Sequence, residues 1–204
     1  MKVDLQQIYN EFAETYDKNR SLFDMSEVFQ SFFERFSQKN GRILDIGCGA
    51  GESFSKLFVE KGWDVTGVDF SEKMVELATK YVPEMTTIHA DMRHVSFEDE
   101  SFDAITAIYS LFHLPSGDQY ALFENFYRWL TPGGKVLFTY ATVEYTGSKT
   151  FDGYKEFMGK SLYYGHKTPE RLQEDLEKIG FTVESRDYRT IGGETFLWLT
   201  CLKR

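Results

Sequence analysis

Residues 43–51 read ILDIGCGAG, and this segment decides the fold class. An apolar run of strand length ends at Ile46, glycines follow at positions 47, 49 and 51, and a helical pattern begins next. Glycine permits a tight turn and lets the backbone approach a ligand closely. The start of a helix adds unpaired N–H groups and a positive partial charge. The segment therefore predicts a strand–loop–helix unit with a ligand-binding turn.

Strand-like and helical patterns alternate after this first unit. The apolar runs of strand length span residues 42–46, 64–68, 86–89, 102–108 and 135–139. The helical patterns that separate them span residues 52–61, 71–81 and 118–130. Continuous apolar strands that alternate with helices indicate an α/β fold with a parallel sheet covered on both faces.

The end of the chain departs from this alternation. A helix is expected at 169–179, with Thr168 as its cap, Pro169 in its first turn and Gly180 after its end. Two strand-like runs, 181–188 and 194–202, then flank a turn with two consecutive glycines. This pattern predicts a hairpin, so the last strand should run antiparallel to its neighbours.

The chain has 204 residues and no internal repeat or linker, which favours a single domain over 1–204. Residues 1–40 are expected to form an N-terminal helical cap, and 41–140 a ligand-binding core. Residues 141–167 are rich in glycine and aromatic residues and follow the carboxyl end of a strand, which indicates a lid or a pocket wall. Residues 168–204 complete the domain with the helix and hairpin.

Composition limits the possible functions. The hydrophobic fraction is 42%, the charged fraction 27% and the net charge −9, which excludes a disordered or fibrous chain and disfavours a nucleic-acid partner. No apolar run is long enough for a membrane span. Two distant cysteines without a CxxC motif favour a reduced, cytoplasmic location. Aromatic residues make up 17% of the chain, which suggests a pocket for an apolar or planar molecule.

Three acidic residues fall at the expected carboxyl ends of successive strands. Asp45 lies inside the first strand, where an uncompensated carboxylate would cost several kcal/mol. We expect a ligand cation to balance it, or local backbone N–H groups. Asp69 follows the first glycine by about 20 residues, the separation typical of a ribose-binding acid. Asp91 ends the third strand beside Met92, where it could accept from an adenine amino group.

The glycine turn alone leaves a dinucleotide-dependent oxidoreductase open as an alternative. The third glycine of the dinucleotide pattern would fall at position 52, which is Glu52 here. A carboxylate in the first helical turn is a poor neighbour for a pyrophosphate, and the final hairpin is also unusual for that class. Both features count against this alternative.

The chain resembles the class I S-adenosylmethionine-dependent methyltransferases of the small-molecule type over essentially its whole length. The segments that carry the resemblance are YNEFAETYD at 9–17, ILDIGCGAG at 43–51, GVDFS at 67–71, HADM at 89–92, SFDAITAIYSLFHL at 101–114 and LTPGGKVLF at 130–138. It implies a Rossmann-like, doubly wound seven-stranded sheet, mostly parallel with an antiparallel C-terminal strand, preceded by N-terminal helices.

The resemblance also implies S-adenosylmethionine as cofactor and S-adenosylhomocysteine as product. Asp45 and the 47–51 loop would hold the methionyl part, Asp69 the ribose, and Asp91 with Met92 the adenine. The complete implied cofactor-binding set is Tyr16, Asp45, Gly47, Cys48, Gly49, Gly51, Asp69, Phe70, Asp91, Met92 and Ile108.

The catalytic candidates are His113 and Tyr109, which follow the fourth strand. A base is needed only when the acceptor must lose a proton. No metal-binding motif is present, so we expect no metal. The expected reaction is methyl transfer to a small, partly apolar or aromatic acceptor by a monomer or homodimer. The open alternatives are a tRNA- or protein-directed methyltransferase and a non-catalytic module that binds the cofactor or its product.

Overall fold

The computed structural model describes residues 5–16, 25–52 and 54–204, without the side chains of Glu14 and Tyr16. The strands are β1 (Arg42–Ile46), β2 (Asp64–Asp69), β3 (Thr86–His89), β4 (Phe102–Ala107), β5 (Leu130–Tyr140), β6 (Phe151–Phe157), β7 (Lys160–His166), β8 (Phe181–Ile191) and β9 (Glu194–Lys203). The helices are α1 (Leu5–Tyr16), α2 (Ser26–Phe33), α3 (Phe54–Glu60), α4 (Glu72–Tyr81), α5 (Ser116–Trp129), α6 (Val143–Thr146) and α7 (Pro169–Ile179), with a 3₁₀ turn at Leu111–His113.

Seven strands form the main sheet in the order β3-β2-β1-β4-β5-β9-β8. Strands β1 to β5 run parallel, and β9 is inserted antiparallel between β5 and β8. The doubly wound, mostly parallel sheet with an antiparallel C-terminal strand is therefore confirmed.

Helices cover both faces of the sheet because the strands alternate their apolar side chains. Leu44 and Ile46 of β1 pack in one core cluster with residues of α5 and α7. Ile43 of the same strand packs in the other cluster with residues of α2, α3 and α4. This two-sided burial leaves the ends of the strands as the sites where polar side chains can meet a ligand.

Strand β5 begins five residues earlier than the pattern predicts. Leu130 pairs with Phe102, the register then shifts, and Lys135 pairs with Ala104. Gly133 and Gly134 lie at this irregular part of the strand and interrupt the apolar pattern, which is why the sequence indicates only the second part of the strand.

The N-terminal cap is less helical than expected. Helix α2 ends at Phe33, and residues 34–41 form turns and bends. Phenylalanines of this cap pack against α3 and the loop after it: Phe29 of α2 lies 5.1 Å from Phe58, and Phe36, three residues after α2, lies 5.1 Å from Trp63, measured between ring centroids. These rings join the core on this face of the sheet.

Residues 141–167 contain a hairpin that the sequence analysis did not identify. Strands β6 and β7 pair antiparallel as a separate two-stranded sheet. Along β6 the side chains alternate between partly buried and exposed, with Phe151 and Phe157 on the partly buried side. Within the described ranges, no helix combines the length and apolar character needed to cross a membrane.

Candidate functional site

A cavity of about 990 Å³ opens at the carboxyl edge of the parallel strands. This volume lies near the upper end of the roughly 300–1,000 Å³ typical of ligand sites. We call one part the carboxylate half; its lining residues are Asp45, Gly47, Cys48, Gly49, Asp69, Phe70, His89, Asp91, Met92 and Arg93. We call the other part the aromatic half; its lining residues are Tyr9, Phe12, Tyr109, Phe112, His113, Phe157, Tyr164, Glu194 and Phe196.

The three glycines in the turn after β1 have different surroundings. Gly47 has φ +75°, and a Cβ there would lie 2.3 Å from the Cβ of Ser110. Gly49 has φ +54°, and a Cβ there would meet nothing within 4 Å. Gly51 does not line the cavity, and a Cβ there would lie 3.0 Å from Met85 and 3.2 Å from Val82, just after α4. The implied cofactor contact of Gly51 stays a prediction.

Asp45 is buried, and among the described residues two side-chain hydroxyls are its hydrogen-bond partners. The Ser55 hydroxyl donates to Asp45 Oδ2 at 2.6 Å, and the Thr106 hydroxyl donates to Oδ1 at 2.8 Å. Burial raises the pKa of the Asp45 carboxyl, and these two hydrogen bonds oppose the shift. The backbone-capping expectation is wrong, since the donors are side chains of α3 and β4. The carboxylate still lines the cavity and keeps further acceptor positions.

Asp69 ends β2 and accepts one backbone hydrogen bond on each oxygen. Gly49 N donates to Oδ2 at 2.9 Å and Ser71 N donates to Oδ1 at 2.8 Å. The first of these ties the glycine turn to the end of the next strand. Burial raises the pKa of the Asp69 carboxyl to about 6. Each oxygen keeps an acceptor position for a hydroxyl, which is what a ribose diol requires.

Asp91 is paired within the chain. Arg93 contacts it with Nε at 3.1 Å from both carboxylate oxygens and with a guanidinium nitrogen at 2.6 Å from Oδ2. Burial alone would raise the pKa of Asp91, but the bonds from Arg93 hold it below its usual range. An adenine amino group would therefore share this carboxylate with Arg93. Met92 lines the cavity beside it.

Both ring nitrogens of His113 have partners. Nδ1 lies 2.8 Å from the carbonyl oxygen of Tyr163, and Nε2 lies 2.7 Å from the hydroxyl of Tyr9. A carbonyl only accepts, so Nδ1 carries the proton and Nε2 accepts from Tyr9. Burial lowers the pKa of His113 to about 4, so the ring is neutral at pH 7. The Tyr9 hydroxyl therefore contacts the His113 nitrogen that would otherwise be available to the acceptor.

Tyr109 has an unusual backbone for a non-glycine residue, with φ +54°. Its N–H donates to the Thr139 hydroxyl at 2.6 Å, and its ring meets Phe196 edge-on at 5.3 Å between centroids. Strained residues of this kind cluster at functional sites. Ile108, the residue before it, also lines the cavity.

One implied residue cannot be placed. The side chain of Tyr16 lies outside the described residues.

Across residues 5–16, 25–52 and 54–204, no group of three or more His, Cys, Asp or Glu side chains has the arrangement of a metal site.

Among the cavity-lining residues that the sequence did not predict, Tyr9 and Glu194 carry the polar groups nearest the aromatic rings. Tyr9 belongs to the YNEFAETYD segment, but nothing in the pattern shows that α1 lies across the sheet edge. Glu194 starts β9, and its place follows from the predicted antiparallel direction of that strand. The amino end of an antiparallel strand lies at the same edge as the carboxyl ends of its parallel neighbours.

Comparisons with known proteins agree with this geometry. A family model described as a methyltransferase domain matches residues 43–134. Demethylmenaquinone methyltransferase of Lactobacillus johnsonii is 28% identical over 209 residues, which cover 87% of this chain and 84% of the relative. Phosphoethanolamine N-methyltransferase 1 of Arabidopsis thaliana is 32% identical over 170 residues, 80% of this chain; the match spans only 33% of that relative's length.

Solved structures match the fold over most of the chain. Magnesium protoporphyrin IX methyltransferase from Synechocystis, solved with bound S-adenosylmethionine, has a TM-score of 0.68 and 17% identity, covering 100% of this chain and 86% of that one. The carboxylate half can accommodate the same cofactor. No atom lies within 4 Å of the position of a Cβ on Gly49, and the two buried carboxylates, Asp45 and Asp69, line the same space. The chain belongs to the class I S-adenosylmethionine-dependent methyltransferases.

Proposed function

We propose that this methyltransferase acts on a small, partly aromatic acceptor that binds in the aromatic half of the cavity. The observation that carries this proposal is the continuity of the two halves. Phe112 stacks on Phe196 at 4.9 Å and lies 5.5 Å from Tyr164, and Tyr9 links this group to Phe70 in the carboxylate half at 5.5 Å. An acceptor that packs against this group of rings lies next to the proposed cofactor residues.

The cofactor-binding residues remain a proposal. We assign the cofactor to Asp45, Gly47, Cys48, Gly49, Asp69, Phe70, Asp91, Met92 and Ile108, all of which line the cavity. When bound, S-adenosylmethionine supplies a methyl group on a positively charged sulfur, and an acceptor lone pair can displace that sulfur from the methyl carbon in line. The chain then has to align the acceptor and exclude water.

The β6–β7 hairpin and α1 supply much of the cover over the aromatic half. Phe157 and Tyr164 of the hairpin line the cavity, as do Tyr9 and Phe12 of α1. Lys160 of the hairpin forms an ion pair with Glu11 of α1. We therefore assign residues 141–167 to the acceptor wall; a lid motion of this segment stays a prediction.

For an acceptor that must lose a proton, we assign the contact to the Tyr9 hydroxyl. Tyr9 donates to the neutral His113 ring, so it can take a proton from the acceptor as it gives its own proton to Nε2 of His113. Burial raises the pKa of the Tyr9 hydroxyl, which keeps it protonated at neutral pH. His113 then acts through Tyr9, and Tyr109 forms part of the acceptor wall.

Two further observations support a small acceptor over tRNA or protein. The relatives and neighbour above are named for demethylmenaquinone, phosphoethanolamine and magnesium protoporphyrin IX, which are all small molecules. The net charge of −9 disfavours a polyanionic partner. We also propose a cytoplasmic location, since Cys48 and Cys201 are both free thiols.

The experiment is methyl transfer from methyl-labelled S-adenosylmethionine to three separate preparations: a small-molecule extract, total tRNA and a protein fraction. We expect label in the small-molecule extract. Label confined to tRNA or protein would contradict the acceptor class. Calorimetry with S-adenosylhomocysteine and with NAD accompanies the assay, and binding of NAD alone would contradict the family's cofactor in this chain.

A further inference from the structure

Glu194 places one carboxylate in the aromatic half of the cavity. It is the first residue of β9, directly after the Gly192–Gly193 turn, and the antiparallel direction of β9 brings it to the ligand-binding edge of the sheet. Two residues further along the strand, Phe196 lines the same cavity. A carboxylate that is half-buried among rings loses part of its hydration, which costs free energy unless polar or charged groups compensate it.

Aromatic rings surround this carboxylate. The Tyr145 hydroxyl donates to the Tyr164 hydroxyl at 2.9 Å, and Tyr145 lies near enough to Glu194 to lower the pKa of that carboxyl. The ring of Tyr145 lies 4.5 Å from that of Phe196, and the ring of Tyr109 lies 5.3 Å from it. Tyr164 and Tyr109 line the cavity, so their π-electrons and the Glu194 carboxylate face the same space.

The balance of charge favours a positive ligand group. Among the described residues that line the aromatic half, Glu194 is the only Asp, Glu, Lys or Arg. The one guanidinium that lines the cavity in the described ranges, Arg93, lies in the carboxylate half and is paired with Asp91. Lys155 sits over the Tyr145 ring at 3.9 Å but does not line the cavity. Burial raises the pKa of Glu194, while Tyr145 and Lys155 oppose the shift.

We propose that Glu194, with the rings of Tyr109, Tyr164 and Phe196, binds a positively charged amino group of the methyl acceptor. A carboxylate beside aromatic faces is the arrangement that recognises ammonium groups. The same site disfavours an acceptor whose phosphate or carboxylate would face Glu194. This inference rests on the proposed function, because it names the acceptor class for the aromatic half.

The test is calorimetry at pH 7.5 on protein saturated with S-adenosylhomocysteine. The probes are 2-phenylethylamine, its neutral counterpart 2-phenylethanol and the anion 3-phenylpropionate, which share one ring and a similar length. We expect the amine to bind at least about tenfold more tightly than the alcohol, and the anion to bind most weakly.

Glu194→Gln should remove the preference for the amine over the alcohol and leave the affinity for S-adenosylhomocysteine unchanged. Glu156→Gln is the matched control, since it makes the same change at an exposed carboxylate of β6 outside the cavity. Tyr145→Phe keeps the ring but removes the hydroxyl that favours the charged form of Glu194, and should weaken amine binding a few-fold. This second variant serves if Glu194→Gln does not fold.

Equal binding of amine and alcohol by the unmodified protein, or no amine binding at all, would overturn the inference. An amine preference that survives both Glu194→Gln and Tyr145→Phe would also overturn it. Binding of S-adenosylhomocysteine in the same samples separates the two proposals. If it binds and the amine preference is absent, only the role of Glu194 fails; if it does not bind, the proposed function fails first.

Discussion

The two halves of the cavity are built in different ways. The carboxylate half comes from the ends of three consecutive strands, β1 to β3, and the residues just after them. The aromatic half comes from segments far apart in the chain: Tyr9 in α1, His113 after β4, Tyr164 in β7 and Glu194 in β9. The first half repeats one supersecondary unit, whereas the second depends on how separate elements pack. The half proposed to bind the cofactor is therefore set by local sequence, and the half proposed to bind the acceptor is set by tertiary packing.

The largest expected effect concerns the glycine turn of the carboxylate half. Gly47→Ala should lower the free energy of unfolding by about 3 kcal/mol or more, because it combines a left-handed φ with a 2.3 Å approach to Ser110. Gly49→Ala carries only the φ penalty of about 1 kcal/mol, since nothing lies within 4 Å. Urea unfolding measures both variants.

A second substitution checks the cause of this difference. Ser110→Gly removes the atoms that the new Cβ would meet, so it should recover part of the loss in Gly47→Ala. Equal destabilisation by the Gly47 and Gly49 variants would show that the close approach to Ser110 does not matter.

Next in size is the loss of the proposed ribose acceptor. Asp69→Ala should weaken S-adenosylhomocysteine binding by about 1.5–3 kcal/mol, because hydrogen bonds to a charged group are lost. Asp91→Ala should cost less, since that carboxylate is already bonded to Arg93. Asp64→Ala, at the other end of β2, is the control. Calorimetry that finds unchanged affinity in Asp69→Ala would remove Asp69 from the site.

The titration of Asp69 should also appear in the pH dependence of cofactor binding. Burial raises the pKa of Asp69 to about 6, so the group becomes protonated as the pH falls below that value and loses acceptor capacity. Affinity for S-adenosylhomocysteine should fall up to about tenfold between pH 7.5 and 5.0. The His113 ring stays neutral over this window because burial lowers its pKa to about 4.

The corresponding effect on stability has the opposite direction. A carboxyl whose pKa is raised on folding holds its proton more tightly in the folded state. The contribution of Asp69 to the stability of the ligand-free protein therefore decreases as the pH rises from about 4 to about 6.

The control for the binding experiment is Asp69→Asn. In this variant the pH profile of S-adenosylhomocysteine binding should become flat between pH 7.5 and 5.0; an unchanged profile would assign the titration to another group.

The smallest effect concerns the aromatic half. Tyr9→Phe keeps the ring and removes the hydroxyl that donates to His113, leaving a buried nitrogen without this partner. We expect a loss of about 1 kcal/mol in the free energy of unfolding. Tyr163→Phe is the control, because its hydroxyl contacts Asp152 at an exposed site. A larger loss in Tyr163→Phe would contradict the buried character of the Tyr9–His113 bond.

The parts predicted correctly from the sequence follow local rules. Strands β1 and β3 and helix α7 match the predicted limits because apolar periodicity and capping residues define them directly. The β6–β7 hairpin was missed because its two-residue alternation is weak and interrupted by charged residues. The partners of Asp45 were also missed, since Ser55 and Thr106 carry no sequence signal that links them to it.

The sequence by itself determined the order of the sheet's building units, the antiparallel last strand and the residues at the ends of β1 to β3. These features depend on neighbours along the chain and on the side-chain periods of helix and strand. Only the tertiary structure decided that the Tyr9 hydroxyl would donate to His113 and that the Thr106 hydroxyl would donate to Asp45. Those contacts arise from packing and burial, which bring together groups whose separation along the chain contains no information about their distance in space.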